Sequence, residues 1–224
     1  MKKNQLATLV LLGSSFAASA GTMGPVATDS NQLMFEAGFN YMHTYLKDSF
    51  TPTESVTNQF PNGFAISPAD YYPTNFYGGY IGLSYYTHQW LLNARYNMYA
   101  TESKRNAMNG VFHSVSPVRL VFTADRVWGD VNYLSYGLGA GAAISNINDG
   151  RYINGPLAEP GNEGSQSLGG EGSRIDPVIE AFVMKRIATN FNMKFNAEYQ
   201  IPVHDIRGNG DLVLSLGLNY AANV

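Results

Sequence analysis

Phe191 to Ile201 reads Phe-Asn-Met-Lys-Phe-Asn-Ala-Glu-Tyr-Gln-Ile, and it constrains the fold of this chain more than any other stretch. Phe191, Met193, Phe195, Ala197, Tyr199 and Ile201 share one parity, and Asn192, Lys194, Asn196, Glu198 and Gln200 share the other. Successive side chains of a strand point to opposite faces, so this alternation makes a strand with one apolar and one polar face. At about 3.3 Å per residue it suits a tilted strand crossing a bilayer.

The same pattern recurs. Leu33–Tyr45, Asn75–Tyr86, Trp90–Tyr99, Pro117–Ala124, Asp130–Ile144, Ile175–Lys185 and Asp211–Tyr220 each alternate, which gives eight predicted strands with the opening one. Ile175–Lys185 is the least regular, because Phe182 and Met184 fall on the parity of Glu180. The connections run long (46–74), short (Thr87-His88-Gln89), long (100–114), short (Asp125–Gly129), long (145–174), short (Arg186–Asn190) and medium (202–210). Pro52, Pro61, Pro68 and Pro73 in the first loop, and Pro156 and Pro160 in the third, are loop chemistry. In an antiparallel meander alternate connections lie at opposite ends. The long loops therefore gather at one end and the tight turns at the other, and eight such strands can close into a barrel.

Two faces leave two barrels open, a secreted one with an apolar interior and a membrane one with an apolar exterior. Composition and position favour the second. Charged residues are 14% of the chain, against roughly a quarter in soluble domains. Those well inside strands, Glu36, Arg95, Arg119, Glu180, Lys194 and Glu198, all fall on the polar parity, as an interior network of three acids and three bases would. That parity also holds Gly38, Gly78, Gly82, Gly137, Gly139, Gly141 and Gly217, small enough for the cramped inside of an eight-stranded barrel, with Tyr80, Tyr99 and Tyr133 to fill it. Aromatics mark both ends of the apolar parity: Tyr45, Tyr77, Tyr96 and Tyr199 toward the long loops, Phe35, Tyr85, Trp90, Phe191 and Tyr220 toward the turns. Such girdles sit at membrane interfaces. The predicted fold class is all-β, a closed antiparallel eight-stranded up-and-down transmembrane barrel with long extracellular loops and short periplasmic turns.

The first residues read as an export signal. Lys2 and Lys3 precede the short apolar run Leu6–Phe16, and Ala18-Ser19-Ala20 offers small residues for cleavage. Residues 1–20 are thus expected to be removed after Sec export, leaving 21–32 as a periplasmic segment and 33–224 as the barrel. Taking Lys2 and Lys3 from the 14 basic side chains leaves 12 against 17 acidic ones. With a sequence pI near 5.8 there is no basic footprint for nucleic acid. The absence of cysteine excludes disulfides, thiolate chemistry and cysteine zinc sites.

With these strands, girdles and turns in place, the chain resembles the small eight-stranded outer-membrane barrels of the OmpA/OmpX/opacity-protein type of Gram-negative bacteria. Ser215-Leu216-Gly217-Leu218-Asn219-Tyr220 is similar to the C-terminal signal read by the barrel-assembly machinery, but Ala221 to Val224 follow the aromatic where the family often ends on Phe. The start Gly21-Thr22-Met23-Gly24-Pro25 is similar to that of surface proteins of some intracellular Gram-negative bacteria. The resemblance implies an outer-membrane location, contact with membrane lipid and lipopolysaccharide, and insertion by that machinery.

No motif carries catalysis. Gly137-Leu138-Gly139-Ala140-Gly141-Ala142 spells a dinucleotide fingerprint, but the residues after it make a poor helix, and a small-residue stripe inside a barrel is the better reading. His43, His113 and His204 fall near the long-loop end and His88 in a turn. Val115, two residues after His113, departs from the His-x-Ser arrangement associated with lipid A deacylases of this size. No cofactor or metal is expected. Long loops in compact domains are usually functional or disordered, and the first carries Phe50, Phe60, Phe64, Tyr71 and Tyr72. These aromatics are expected either to contact a host, bacterial or other cell-surface ligand, or to pack over the barrel mouth or touch the lipopolysaccharide zone. Three functions follow in order: a non-enzymatic surface barrel with structural or adhesive loops 46–74 and 145–174, a narrow passive channel, and an outer-leaflet lipid-modifying enzyme.

Overall fold

The computed structural model describes residues 31–46, 72–105, 112–152, 166–167, 174–203 and 208–223. They form β1 (Gln32–Leu46), β2 (Asn75–Thr87), β3 (Trp90–Tyr99), β4 (Glu102–Arg105), β5 (Phe112–Asp130), β6 (Leu134–Tyr152), β7 (Gln166–Ser167), β8 (Arg174–Ala188), β9 (Phe191–Gln200) and β10 (Gly208–Asn223). The strand order is β4-β5-β3-β2-β1-β10-β9-β8-β6-β7, and β5 also pairs with β6. That last pairing closes eight antiparallel strands into an up-and-down barrel, which leaves the wall no open edge.

β4 and β7 stand outside the eight. β4 lies on the first residues of β5, pairing Glu102 with Val115 and Arg105 with Phe112. β7 lies on Gly150 and Arg151 of β6. β5 and β6, with 19 residues each, therefore rise past the mouth of the barrel at the long-loop end. Parts of the expected loops 100–114 and 145–174 are strand, because the β5–β6 ladder continues unbroken from Asp130↔Leu134 to Phe112↔Tyr152.

At the other end the connections are tight. His88 and Gln89 join β2 to β3 with φ of 45° and 66°. Positive φ at both central residues matches the right-handed twist of the flanking strands. Asp130 folds the β5–β6 turn: its backbone carbonyl accepts from Tyr133 N at 3.0 Å, and its carboxylate accepts from Asn132 N at 2.8 Å. Gly129 just before it has φ 87°, a conformation that favours glycine.

The turn expected at Asp125–Gly129 is corrected. These residues are strand, and the turn is Val131–Tyr133. Turn-type residues suggested a break, but the two parities run on: Asp125 and Val127 are buried inside, while Trp128 is exposed outside. Tyr133, expected to fill the interior, is 61% exposed in that turn. β10 likewise continues past Tyr220, pairing Ala221 with Met34 and Asn223 with Gln32.

The exterior of the strands is apolar. Phe39, Ile81, Leu83, Leu92, Met98, Phe122, Leu138, Ile179, Phe195, Leu216 and Leu218 are all exposed. Near the long loops Tyr41 and Tyr77 pack with ring centroids 5.2 Å apart; near the turns Phe191 and Tyr220 do so at 5.4 Å and Trp128 and Tyr136 stack at 6.0 Å.

Candidate functional site

The inward parity brings Glu36 (β1), Arg95 (β3), Arg119 (β5), Glu180 (β8), Lys194 and Glu198 (both β9) into one buried polar string. Glu36 Oε1 accepts from Ser84 Oγ at 2.7 Å, Lys194 Nζ at 2.9 Å and Asn219 Nδ2 at 3.1 Å. Lys194 also donates to Asn93 Oδ1 at 3.2 Å. Asn93 passes the string on, donating to Asp125 Oδ2 at 2.5 Å and to Glu180 Oε1 at 3.2 Å. Glu180 is ion-paired to Arg95, which reaches Glu198 Oε2 at 2.8 Å. Arg119 holds the other oxygen of Glu198 at 2.5 Å and donates from Nε to Gln200 Oε1 at 2.9 Å. Gln200 donates to Asp176 Oδ2 at 2.7 Å.

Two buried carboxylates, Asp125 and Asp176, were not among the expected interior charges. Among the described residues the buried charges are therefore five acids and three bases rather than three of each. Asp125 was missed because its type suggested a turn, and Asp176 because it stands one residue inside the predicted start of its strand. The run of parity from Val121 through Thr123 to Val127 was the available signal for Asp125. Neutral groups share the load: Asn93, Asn196, Ser84, Thr123 and Gln200 each hydrogen-bond to a carboxylate, to each other or to a cation. Buried charges are tolerable only with such partners, because desolvation is otherwise costly.

The glycines make the room. A Cβ on Gly38 would stand 2.5 Å from Gly217 Cα and 2.8 Å from the Tyr80 ring, so Tyr80 fills the space between two facing glycines. Gly137 yields to the Phe182 ring and Gly139 to the Asp125 carboxylate. The fingerprint-like run at Gly137–Ala142 is strand β6, and its glycines accept bulky neighbours.

Apolar clusters lie at both ends of this string. At the turn end, Met34, Tyr86, Leu91, Val127, Val131, Phe182, Met184 and Ala221 pack together. At the loop end, Met42, Phe76, Tyr99, Val115 and Val213 do so, and Tyr72 packs against them. The irregular parity of Phe182 and Met184 thus has a reason: they face inward as part of the lower cap, with Lys194 Nζ 5.1 Å from the centroid of the Phe182 ring.

Of the loop aromatics, Phe50, Phe60, Phe64 and Tyr71 lie outside the described residues, as does His204. His43 Nδ1 is 2.8 Å from Asn75 Oδ1, and His88 contacts Thr87 Oγ1 at 2.8 Å in its turn. Among the described residues no three His, Cys, Asp or Glu side chains are grouped to hold a metal ion.

A closed eight-stranded wall with an apolar exterior and aromatic rings at both margins is the fold of the small outer-membrane barrels. The outer membrane protein OprG of Pseudomonas aeruginosa superposes with a TM-score of 0.53 over 88% of this chain and 98% of its own, at 8% identity. Ail, the attachment invasion locus protein of Yersinia pestis, aligns with a TM-score of 0.49 at 11% identity over 86% of this chain and 99% of its own. The N-terminal β-barrel domain of Pseudomonas aeruginosa OprF aligns at 0.48 and 19% identity over 87% and 100%. No family model and no curated protein matches the sequence.

Proposed function

We propose that the chain is a non-enzymatic outer-membrane surface barrel whose lumen is a structural plug and whose working surface is its long-loop end. The observation that carries this reading is the filled interior, a salt-bridged string between two apolar caps. An interior of eight strands is just wide enough for side chains to fill. A conducting pore would need these caps and ion pairs to part, so the passive channel ranks below the surface barrel, and the lipid-modifying enzyme below both.

On this reading residues 1–20 direct Sec export, the assembly machinery inserts the barrel, and lipid and lipopolysaccharide surround it. Loops 46–74 and 145–174 then reach the cell exterior for structural or adhesive contact with a host or cell-surface ligand. Tyr72 packs against the apolar cluster at the mouth, and Phe50, Phe60, Phe64 and Tyr71 are the further loop aromatics proposed for contact with a ligand. Deleting residues 52–68 is expected to preserve heat-modifiable gel mobility, the sign of a folded barrel, while reducing binding to cells or purified surface ligands. Binding unchanged by deletion of each long loop in turn would remove the adhesive part. Single-channel conductance from the wild-type protein in planar bilayers would restore the channel.

A further inference from the structure

Charge is nearly absent from the outward parity of the eight wall strands. Among the described residues, alternation places only Arg126, Asp130 and Lys185 of the Asp, Glu, Lys and Arg side chains on that face. All three lie in one sector, at the turn ends of the adjacent strands β5, β6 and β8. The register rows are Trp90↔Arg126↔Leu138, then Trp128↔Tyr136↔Val183, then Asp130↔Leu134↔Lys185. Two cations thus bracket a stacked Trp128–Tyr136 pair, and both tryptophans of the chain belong to the patch.

The Arg126 side chain runs toward the turn. Its guanidinium lies 5.6 Å from the centroid of the Trp90 ring and donates to Gln89 Oε1 at 2.5 Å. That is snorkelling: the stem covers apolar wall while the head reaches the level of polar headgroups. Lys185 is exposed on the outer wall. Among the described residues neither cation has a carboxylate partner. Asp130, the opposing charge, spends a carboxylate oxygen on Asn132 N and faces Arg186, whose guanidinium donates to Asn132 Oδ1 at 2.8 Å.

We infer that this sector binds the phosphate of an anionic phospholipid in the leaflet at the turn end of the barrel. The inference rests on the membrane-barrel reading above. Charge complementarity selects the ligand: a net positive patch faces the headgroup zone, and Trp90, Trp128 and Tyr136, each 42–49% exposed, offer amphipathic rings at that depth. Near an anionic membrane surface, one Lys or Arg is worth about a fivefold preference. With Asp130 set against Arg186 of β8 at the same turn, Arg126 and Lys185 are the two uncompensated cations, and the patch is expected to favour an anionic lipid at least about fivefold over a zwitterionic one.

The test uses the two tryptophans as reporters. The full chain is refolded into phosphatidylcholine vesicles containing brominated phosphatidylglycerol or brominated phosphatidylcholine at equal mole fraction, and quenching of tryptophan emission gives the relative lipid affinity. The expected result is at least about fivefold tighter apparent binding of phosphatidylglycerol, reduced to parity in the Arg126→Gln/Lys185→Gln double variant, where Asp130 and Arg186 still balance, and retained in Arg126→Lys. Heat-modifiable mobility shows that each variant is folded. Equal quenching by both lipids in the wild type, or an undiminished preference in the folded double variant, overturns the proposal. Absence of quenching by either lipid would instead show that the wall does not face lipid, and would end the membrane reading together with the site.

Discussion

β8 and β9 run side by side in the wall, yet only β9 alternates cleanly. On β9 the inward residues are Asn192, Lys194, Asn196, Glu198 and Gln200, all buried and all polar. On β8 they are Asp176, Val178, Glu180, Phe182 and Met184, a mixture. The two strands are paired, Glu180 with Glu198, Phe182 with Asn196 and Met184 with Lys194. Their outer faces are both apolar apart from Lys185 at the turn end of β8, so the difference in alternation lies inside. The interior is not a uniform polar channel but a packed core whose polar part needs partners and whose apolar part needs volume. Two like charges stand opposite each other at Glu180 and Glu198, and Arg95 between them makes that pairing tolerable.

Removing the shared cation should break the polar half hardest. Arg95→Met leaves two buried carboxylates short of a partner and is expected to cost roughly 3–5 kcal/mol in urea unfolding followed by gel mobility. Against the outer face the corresponding insult is Phe195→Lys, expected to cost roughly 2–4 kcal/mol if it lies near the bilayer midplane and less toward an interface. Gly38→Ala should cost about 1–3 kcal/mol, because the added methyl crowds the Gly217 backbone and the Tyr80 ring. The mildest change, Met184→Leu in the lower cap, should cost under about 1.5 kcal/mol, because the swap nearly conserves volume and gives up only the weak donation from Asn219 Nδ2 to Met184 Sδ at 3.5 Å. If Met184→Leu proved as damaging as Arg95→Met, the division of the interior into polar and apolar parts would not hold.

The sequence made the eight wall strands legible because each strand has an apolar outer face on one side and a crowded, largely polar interior on the other, and the period of two records that contrast. Trp90–Tyr99 was read with the bounds observed, and Phe191–Gln200 to within one residue. Legibility failed where residue type competed with parity. Asp125 and Gly129 read as a turn, although Asp125 is bonded to Asn93 in the space left by Gly139. It failed again at the long-loop end, where the β5–β6 ladder continues through Asn148, Asp149 and Gly150, a run with turn-like composition. For the interior, sequence reached the six charges deep within strands but not their hub. Asn93 is a neutral residue on the polar parity, and nothing local distinguishes it from Asn97 or Asn196. The tail after Tyr220 departs from the family pattern in the sequence, and in the structure Ala221 closes the lower cap.

The chain has no cysteine, so single cysteines can report each face without a background. Met193→Cys, Phe195→Cys and Ala197→Cys sample the outward side of β9, and Asn196→Cys and Ser215→Cys sample the interior. Each refolded variant would be exposed to a membrane-impermeant water-soluble thiol reagent and to a lipid-soluble one. The account predicts that the outward cysteines react with the lipid-soluble reagent alone, and that the interior ones react with neither until the barrel is unfolded. Reaction of the interior cysteines with the water-soluble reagent in the folded protein would reveal a wet lumen, and its reaction with the outward set would show that the apolar wall does not face lipid.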